Sequence, residues 1–275
     1  MPGLPRRRRA FHSTCAAWLM LLPLSPTSGQ ESAAPKADTE AMRGVFPHVR
    51  LDAKAGVVEV AARVSPLLHA KDEPLFFLEA VACTPDSKEH ESLVVTEAKP
   101  SHVHAALLLL GLEPGKPATW REEAGRTKAE PATGPEITVE MVYRGPEGAE
   151  VVVHPGDWIV HAKTGERFPD TDQFGWVFAG SEIRTRRSAE GEVREVYRAD
   201  IEGTLIGLAS FGTETIALAT AISPESSVEE PVWIADLKSV PANDTPVTIR
   251  LRTTKARQNE NAADATEGQS VQGQR

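Results

Sequence analysis

Seven residues in one short stretch have side chains able to do chemistry: Cys83, His90, Glu91, Ser92, Ser101, His102 and His104. Thiolate, imidazole and carboxylate are ligand types for zinc, copper or iron. Three of the seven histidines after residue 29 fall within fifteen positions here. Helix geometry limits how they combine. Residues two apart on a helix point about 200° apart, so His102 and His104 would not face one ion together. Either could join Cys83 and His90 if the preceding loop folds back. Such a site would hold a divalent metal, and Glu91 would serve as base in a hydrolytic reaction. The same residues have plainer uses. His102 can be the polar start of a helix and His90 a hydrogen-bonding loop anchor. His90, Glu91, Ser92 and Ser101 then form a polar patch suited to binding. Two classes stay open: a non-enzymatic binding or envelope-associated module, and a metal-dependent hydrolase with its site in residues 83–104.

Other motifs fail on spacing. His90-Glu91 begins like a zinc-protease helix, but Val94 stands where the second His should be. Asp170-Thr171-Asp172 begins like a calcium loop, but Phe174 replaces an oxygen ligand and Ser181 the closing Glu. Ser210 lacks the leading Gly of a nucleophile elbow, and no His follows His161 to complete the order Ser, acid, His. Gly111 to Lys116 has the wrong spacing for a phosphate loop and is followed by Pro117.

These residues need a scaffold, and most of it reads as strand. Val57–Val64 is Val-rich, and Leu75–Cys83 is a near-continuous apolar run, as in a central strand. Ile137–Tyr143 alternates with period two, and Gly145-Pro146-Glu147-Gly148 turns the chain into Glu150–Val153 as a hairpin. Asp157–His161, Trp176–Phe178, Thr204–Ile206 and Val247–Leu251 follow as short strands. One helix is expected over 101–110, opened by Pro100-Ser101 and closed by Gly111, with four consecutive Leu suggesting burial on more than one side. Thr215–Ala221 fits a helix or a strand. Ala118–Pro135 is polar and reads as a long loop, and Arg184–Arg187 as a solvated turn. The fold class is β-rich α+β, with antiparallel or mixed sheets or a sandwich around one well-defined helix.

The ends of the chain read differently. Arg6–Arg9, the apolar run Cys15–Leu24 and the small residues up to Gly29 form a secretory signal peptide, 1–29. The run is too short for a transmembrane helix, which needs roughly 20 residues. Arg8-Arg9-Ala10-Phe11 also fits a twin-arginine signal, so two export routes are open. Residues 30–44 read as a flexible linker, 45–252 as a single domain and 253–275 as a disordered tail. Cleavage near Gly29 would leave an exported, periplasmic or extracellular chain with no membrane span. That chain keeps 26 basic residues against 39 acidic ones, a net charge of −13 from the −9 of the full chain. Such charge repels nucleic-acid phosphates and anionic lipid. Cys15 leaves with the signal, so Cys83 has no partner for a disulfide and is expected to be a buried free thiol.

Several strings resemble the YdjY-type domain of exported bacterial proteins, planctomycetes among them. They are Leu78–Cys83, His90-Glu91-Ser92-Leu93, Lys99–Leu107, Gly111–Gly115, Trp176–Ser181, Tyr197–Gly203 and Gly207–Gly212. Together they span most of residues 50–250. The resemblance brings no activity or catalytic residue with it. A ferredoxin-like label attached to some relatives would need several Cys ligands, and one remaining cysteine holds no iron–sulfur cluster. Ligand and protein partner stay unassigned.

Overall fold

The Val- and Ile-rich runs pair as strands, and most of them join one sheet. A computed structural model describes residues 42–69, 76–169, 175–187 and 191–253. Residues 1–29, most of the 30–44 linker, 254–275 and Asp170–Phe174 lie outside the described residues. The strands are β1 (Arg43–Phe46), β2 (Val49–Asp52), β3 (Val57–Val64), β4 (Ala80–Cys83), β5 (Ser92–Val95), β6 (Thr119–Glu123), β7 (Arg126–Glu130), β8 (Glu136–Arg144) and β9 (Glu150–Val153). They continue as β10 (Ile159–His161), β11 (Trp176–Phe178), β12 (Ile183–Arg187), β13 (Val193–Tyr197), β14 (Thr204–Gly207), β15 (Ile216–Leu218), β16 (Trp233–Ala235) and β17 (Pro246–Thr253). The helices are α1 (Pro100–Leu109) and α2 (Arg198–Glu202). All described residues fall within the unit Asp38–Arg275. No described helix is long and apolar enough to cross a membrane.

Of the sheet or sandwich expected, a mixed sheet forms, and it closes into a barrel. Eight strands pair in the ring β3-β17-β8-β11-β15-β14-β4-β5, and β5 returns to β3 through Arg63↔Val95 and Val64↔Val94. Closure leaves no free edge along the ring. Two long strands make it possible by changing partner midway. On one side of β3, Val57–Val60 pair with β2 while Arg63 and Val64 pair with β5. On one side of β8, Met141–Arg144 pair with β9 while Glu136 and Ile137 pair with β11. Runs of short strands do not encode such a split, so the sequence left sheet and sandwich undecided.

Alternation sets the inside. In β17, Val247, Ile249 and Leu251 point inward and pack with Val58, Val60, Val139 and Met141. Arg250 and Arg252 point outward onto Glu59 and Glu140, at 3.0 Å each. Opposite charges on adjacent strands stabilise such a face by a few tenths to about 1 kcal/mol per pair.

Three further expectations change. Residues 118–135 hold the antiparallel hairpin β6–β7 rather than a loop. Its turn is Ala124-Gly125, both at positive φ (52° and 75°), the geometry of a two-residue hairpin turn. Charged pairs replace apolar alternation there: Arg121–Glu130 and Lys128–Glu123 are both 3.1 Å. Arg184–Arg187 likewise lies in β12, paired with β13. On α1, Leu107 is buried but Leu108 and Leu109 are 45% and 58% exposed, so the helix buries one face only. Within Thr215–Ala221, Ile216–Leu218 forms strand β15 and no helix.

Candidate functional site

Strand direction decides where the predicted residues go. β4 and β5 are parallel, and β14 runs antiparallel to β4. The starts of β4 and β5 and the end of β14 therefore share one end of the barrel. The other end takes the finish of β5, from which the chain enters α1, and the start of β14, which it reaches from α2.

Glu79 occupies the first end and is fixed from both sides. Its N–H donates to Glu91 O at 2.9 Å, and its carbonyl accepts from Leu208 and Ala209 at 2.9 and 2.8 Å. Leu78 N–H donates to Trp233 O at 2.9 Å. A cleft of about 250 Å³ opens here, lined among others by Phe76, Phe77, Glu79, Glu91, Ala209 and Trp233. Glu91 ends a short 3-10 turn, Glu89–Glu91. Burial, a hydrogen bond to Glu79 and the Glu79 charge push the Glu91 carboxyl above its ordinary range, with His90 and Lys88 pulling the other way. Lys88 Nζ meets Glu79 Oε2 at 2.5 Å and lies 3.9 Å from the centre of the Phe211 ring. His90 Nε2 is 3.4 Å from Glu91 Oε1, and its ring stands edge-on to Phe76 at 5.1 Å. Ser92 is buried beneath this turn and donates to Lys88 O at 2.7 Å.

The remaining predicted residues lie elsewhere. Ser101, at the start of α1, donates its hydroxyl to Asp200 Oδ2 (2.6 Å) and its N–H to Asp200 Oδ1 (2.8 Å). It ties α1 to α2 by satisfying a free donor at the helix start. His102 stacks on Phe46 at 5.0 Å, and its Nδ1 is buried with no partner among the described residues. His104 faces Phe178 and Tyr197, with Nδ1 3.0 Å from the Tyr197 hydroxyl. Burial lowers its pKa, against a hydrogen bond that the ring donates to the Gly180 backbone carbonyl. Cys83 is buried and free, and burial pushes its thiol up against hydrogen bonds from Ser92 and Ser87.

The structure thus brings His90, Glu91 and Ser92 together and leaves Ser101 with α2. It does not gather Cys83, His90, His102 and His104 around one point. Among the described residues, no group of three or more His, Cys, Asp or Glu side chains could hold a metal ion. The two helix histidines diverge as helix geometry requires, and Phe46, Phe178 and Tyr197 take their rings.

Three members of the site escaped the sequence reading: Glu79, Lys88 and Trp233. Glu79 left a signal, because it is the only charge in the apolar run Leu75–Cys83, and a charge in a buried strand needs a partner. Lys88 and Trp233 left none: Lys88 lies in a connection, and Trp233 opens the three-residue strand β16, too short to show a period.

A family model described as the YdjY domain matches residues 49–252. No curated protein matches the chain. No solved structure matches it either.

Proposed function

The chain belongs to the YdjY domain family, and we propose that it is an exported, non-enzymatic binding module that takes a small ligand in the cleft beside Glu91. One observation carries the reading: a cleft of about 250 Å³ where two neighbouring carboxylates, Glu79 and Glu91, face aromatic and proline side chains. Ligand sites are typically concave and apolar with a few fixed polar groups. The volume falls just below the roughly 300–1,000 Å³ of drug-sized sites, which suits a ligand the size of one amino-acid side chain. Export is inferred from residues 1–29, whose charged start, apolar run and small-residue exit have the composition of a signal. No ligand set for the hydrolase alternative converges among the described residues, so no reaction step is assigned.

The test is amide and indole NMR on the 30–275 chain, titrated with a panel of side-chain-sized amines, carboxylates, alcohols and sugars. Saturable shifts centred on the Trp233 indole and the Ala209 amide are expected. Shifts centred elsewhere, or none at all, overturn the proposal. Mass determination of the protein from the native envelope fraction addresses export; a chain still beginning at Met1 would defeat that part.

A further inference from the structure

The chemistry of the cleft walls narrows what the ligand can be. Four of the lining side chains are glutamates (Glu79, Glu91, Glu229 and Glu230), and among the described residues the lining holds no Lys, Arg or His. Two of the four have cationic partners outside the wall: Lys88 on Glu79 at 2.5 Å and Lys163 on Glu230 at 2.8 Å. Glu229 is occupied differently, accepting the Ser223 N–H at 2.8 Å. Glu91 is left with a neighbouring carboxylate and with His90, which compensates its charge only when protonated. Apolar surface fills the rest of the wall, including Phe76, Phe77 and Trp233. Aromatic faces attract cations by about 0.5–2 kcal/mol, more as water is excluded. An anion would meet uncompensated negative charge, and a neutral ligand would leave the carboxylate pair crowded.

Resting on the binding reading above, we infer that the cleft selects a small organic cation: a primary ammonium on a short apolar stem, such as the lysine side chain presents. The ammonium would sit between Glu91 and Glu79, and the stem would lie against Phe76, Phe77 and Trp233. The two carboxylates repel each other, and a proton held between them relieves that repulsion. An arriving ammonium takes over this role and the proton leaves to solvent. Lys88 and His90, on the same turn as Glu91, favour its ionised form, while burial and the neighbouring Glu79 oppose it. Affinity therefore rises with pH through the acidic range and levels off once Glu91 is ionised in the free protein.

The experiment compares three ligands of nearly equal shape: n-butylammonium, 1-butanol and butanoate. Each is titrated into the 30–275 chain by calorimetry and NMR across the acidic to neutral range, at low salt and in buffers of different ionisation enthalpy. The expected result is preference for n-butylammonium by tenfold or more, with proton release at the acidic end. Glu91→Gln should weaken it at least tenfold and abolish its pH dependence, with melting temperature and amide spectrum confirming the fold. Ala209→Leu, which fills the cleft, should remove binding without touching a charge. Preference for butanol or butanoate at the same amides overturns the cation assignment and leaves the binding reading standing. No response to any of the three, or to any member of the wider panel, overturns both. Amine binding unchanged in Glu91→Gln and Ala209→Leu places the site elsewhere and overturns the inference.

Discussion

Replacing Tyr197 with Phe tests the packing of α1 against the barrel. The Tyr197 hydroxyl lies 3.0 Å from His104 Nδ1, 3.0 Å from Gly180 O and 3.0 Å from Thr215 Oγ1. A phenol has one proton to give, and the Gly180 carbonyl can only accept. Thr215 and His104 must then donate to the phenol oxygen, which places the His104 proton on Nδ1. Removing that oxygen takes a hydrogen-bond partner from three polar groups at once, and leaves the Thr215 hydroxyl with none of those bonds. Thr215 is fully buried and Gly180 nearly so. A typical bond contributes about 0.5–1.5 kcal/mol, and an unsatisfied buried group costs about 1–3 kcal/mol. With some relaxation, the expected loss is about 3 kcal/mol, or roughly 6–12 °C in Tm for a domain of this size. Urea unfolding followed by circular dichroism measures it, and an unchanged m-value would show that stability alone has moved. A second arm pairs Tyr197→Phe with Thr215→Val. Sharing one network, the two should couple by about 0.5–3 kcal/mol. A loss below about 0.5 kcal/mol, the range of ordinary surface substitutions, would refute the arrangement.

Gly115→Ala should abolish or severely weaken folding, because an added Cβ would stand 1.9 Å from Thr133 O and 2.3 Å from its carbon, both backbone atoms; soluble yield and thermal unfolding read this out. Leu107→Ala, fully buried, should cost about 2–5 kcal/mol, whereas Leu109→Ala, 58% exposed, should stay within about 0.5 kcal/mol. Equal effects in those two variants would contradict the one-sided burial of α1. Burial raises the Glu214 carboxyl above its ordinary value of 4.5, despite backbone N–H donors including Phe211 and Thr213. The native state then holds its proton more tightly than the unfolded chain, so this contribution is complete below 4.5 and is lost as pH rises through the folded value; unfolding free energy compared between wild type and Glu214→Gln across that range should show a falling pH profile that the variant flattens.

How far the fold could be read ahead depended on whether one period governed a segment. β8 announced itself through period-two alternation, β3 through its Val-rich run, β11 and β17 as short apolar or β-branched runs, and α1 through its Pro start and Gly stop. The hairpin β6–β7 did not, because its faces are polar on both sides and its stability comes from cross-strand charges and a two-residue turn. The four leucines at 107–110 exaggerated burial for a similar reason. A run of identical residues conceals which face of a helix is turned inward. At the site, His90 and Glu91 were visible as polar types beside apolar strands. Their partners depended on register: Glu79 meets Glu91 only because β4 and β5 run parallel with Ala80 opposite Ser92. No metal-holding group converges among the described residues: His102 stacks on Phe46 and His104 stands edge-on to Phe178, which draws the two helix histidines to different walls.

The two ends of the barrel differ in what completes them, and under the binding reading proposed above that difference sets where a ligand would enter. Strand ends leave backbone groups that need partners. At the helical end the chain supplies them itself: Asp200 takes the Ser101 donors, and Gly203 O takes the Thr84 N–H at 2.8 Å. At the cleft end, backbone partners hold Glu79 in place but leave its side chain facing the opening. The charge is thus mounted on a strand held from both sides, while Phe76, Phe77 and Trp233 come from or flank connections. A fixed charge costs little reorganisation on binding, and walls carried by connections can vary in shape without disturbing the sheet. Substitutions at Phe77 or Trp233 should therefore change which stem length the cleft prefers, while the preference for positive charge persists as long as Glu79 and Glu91 stay paired.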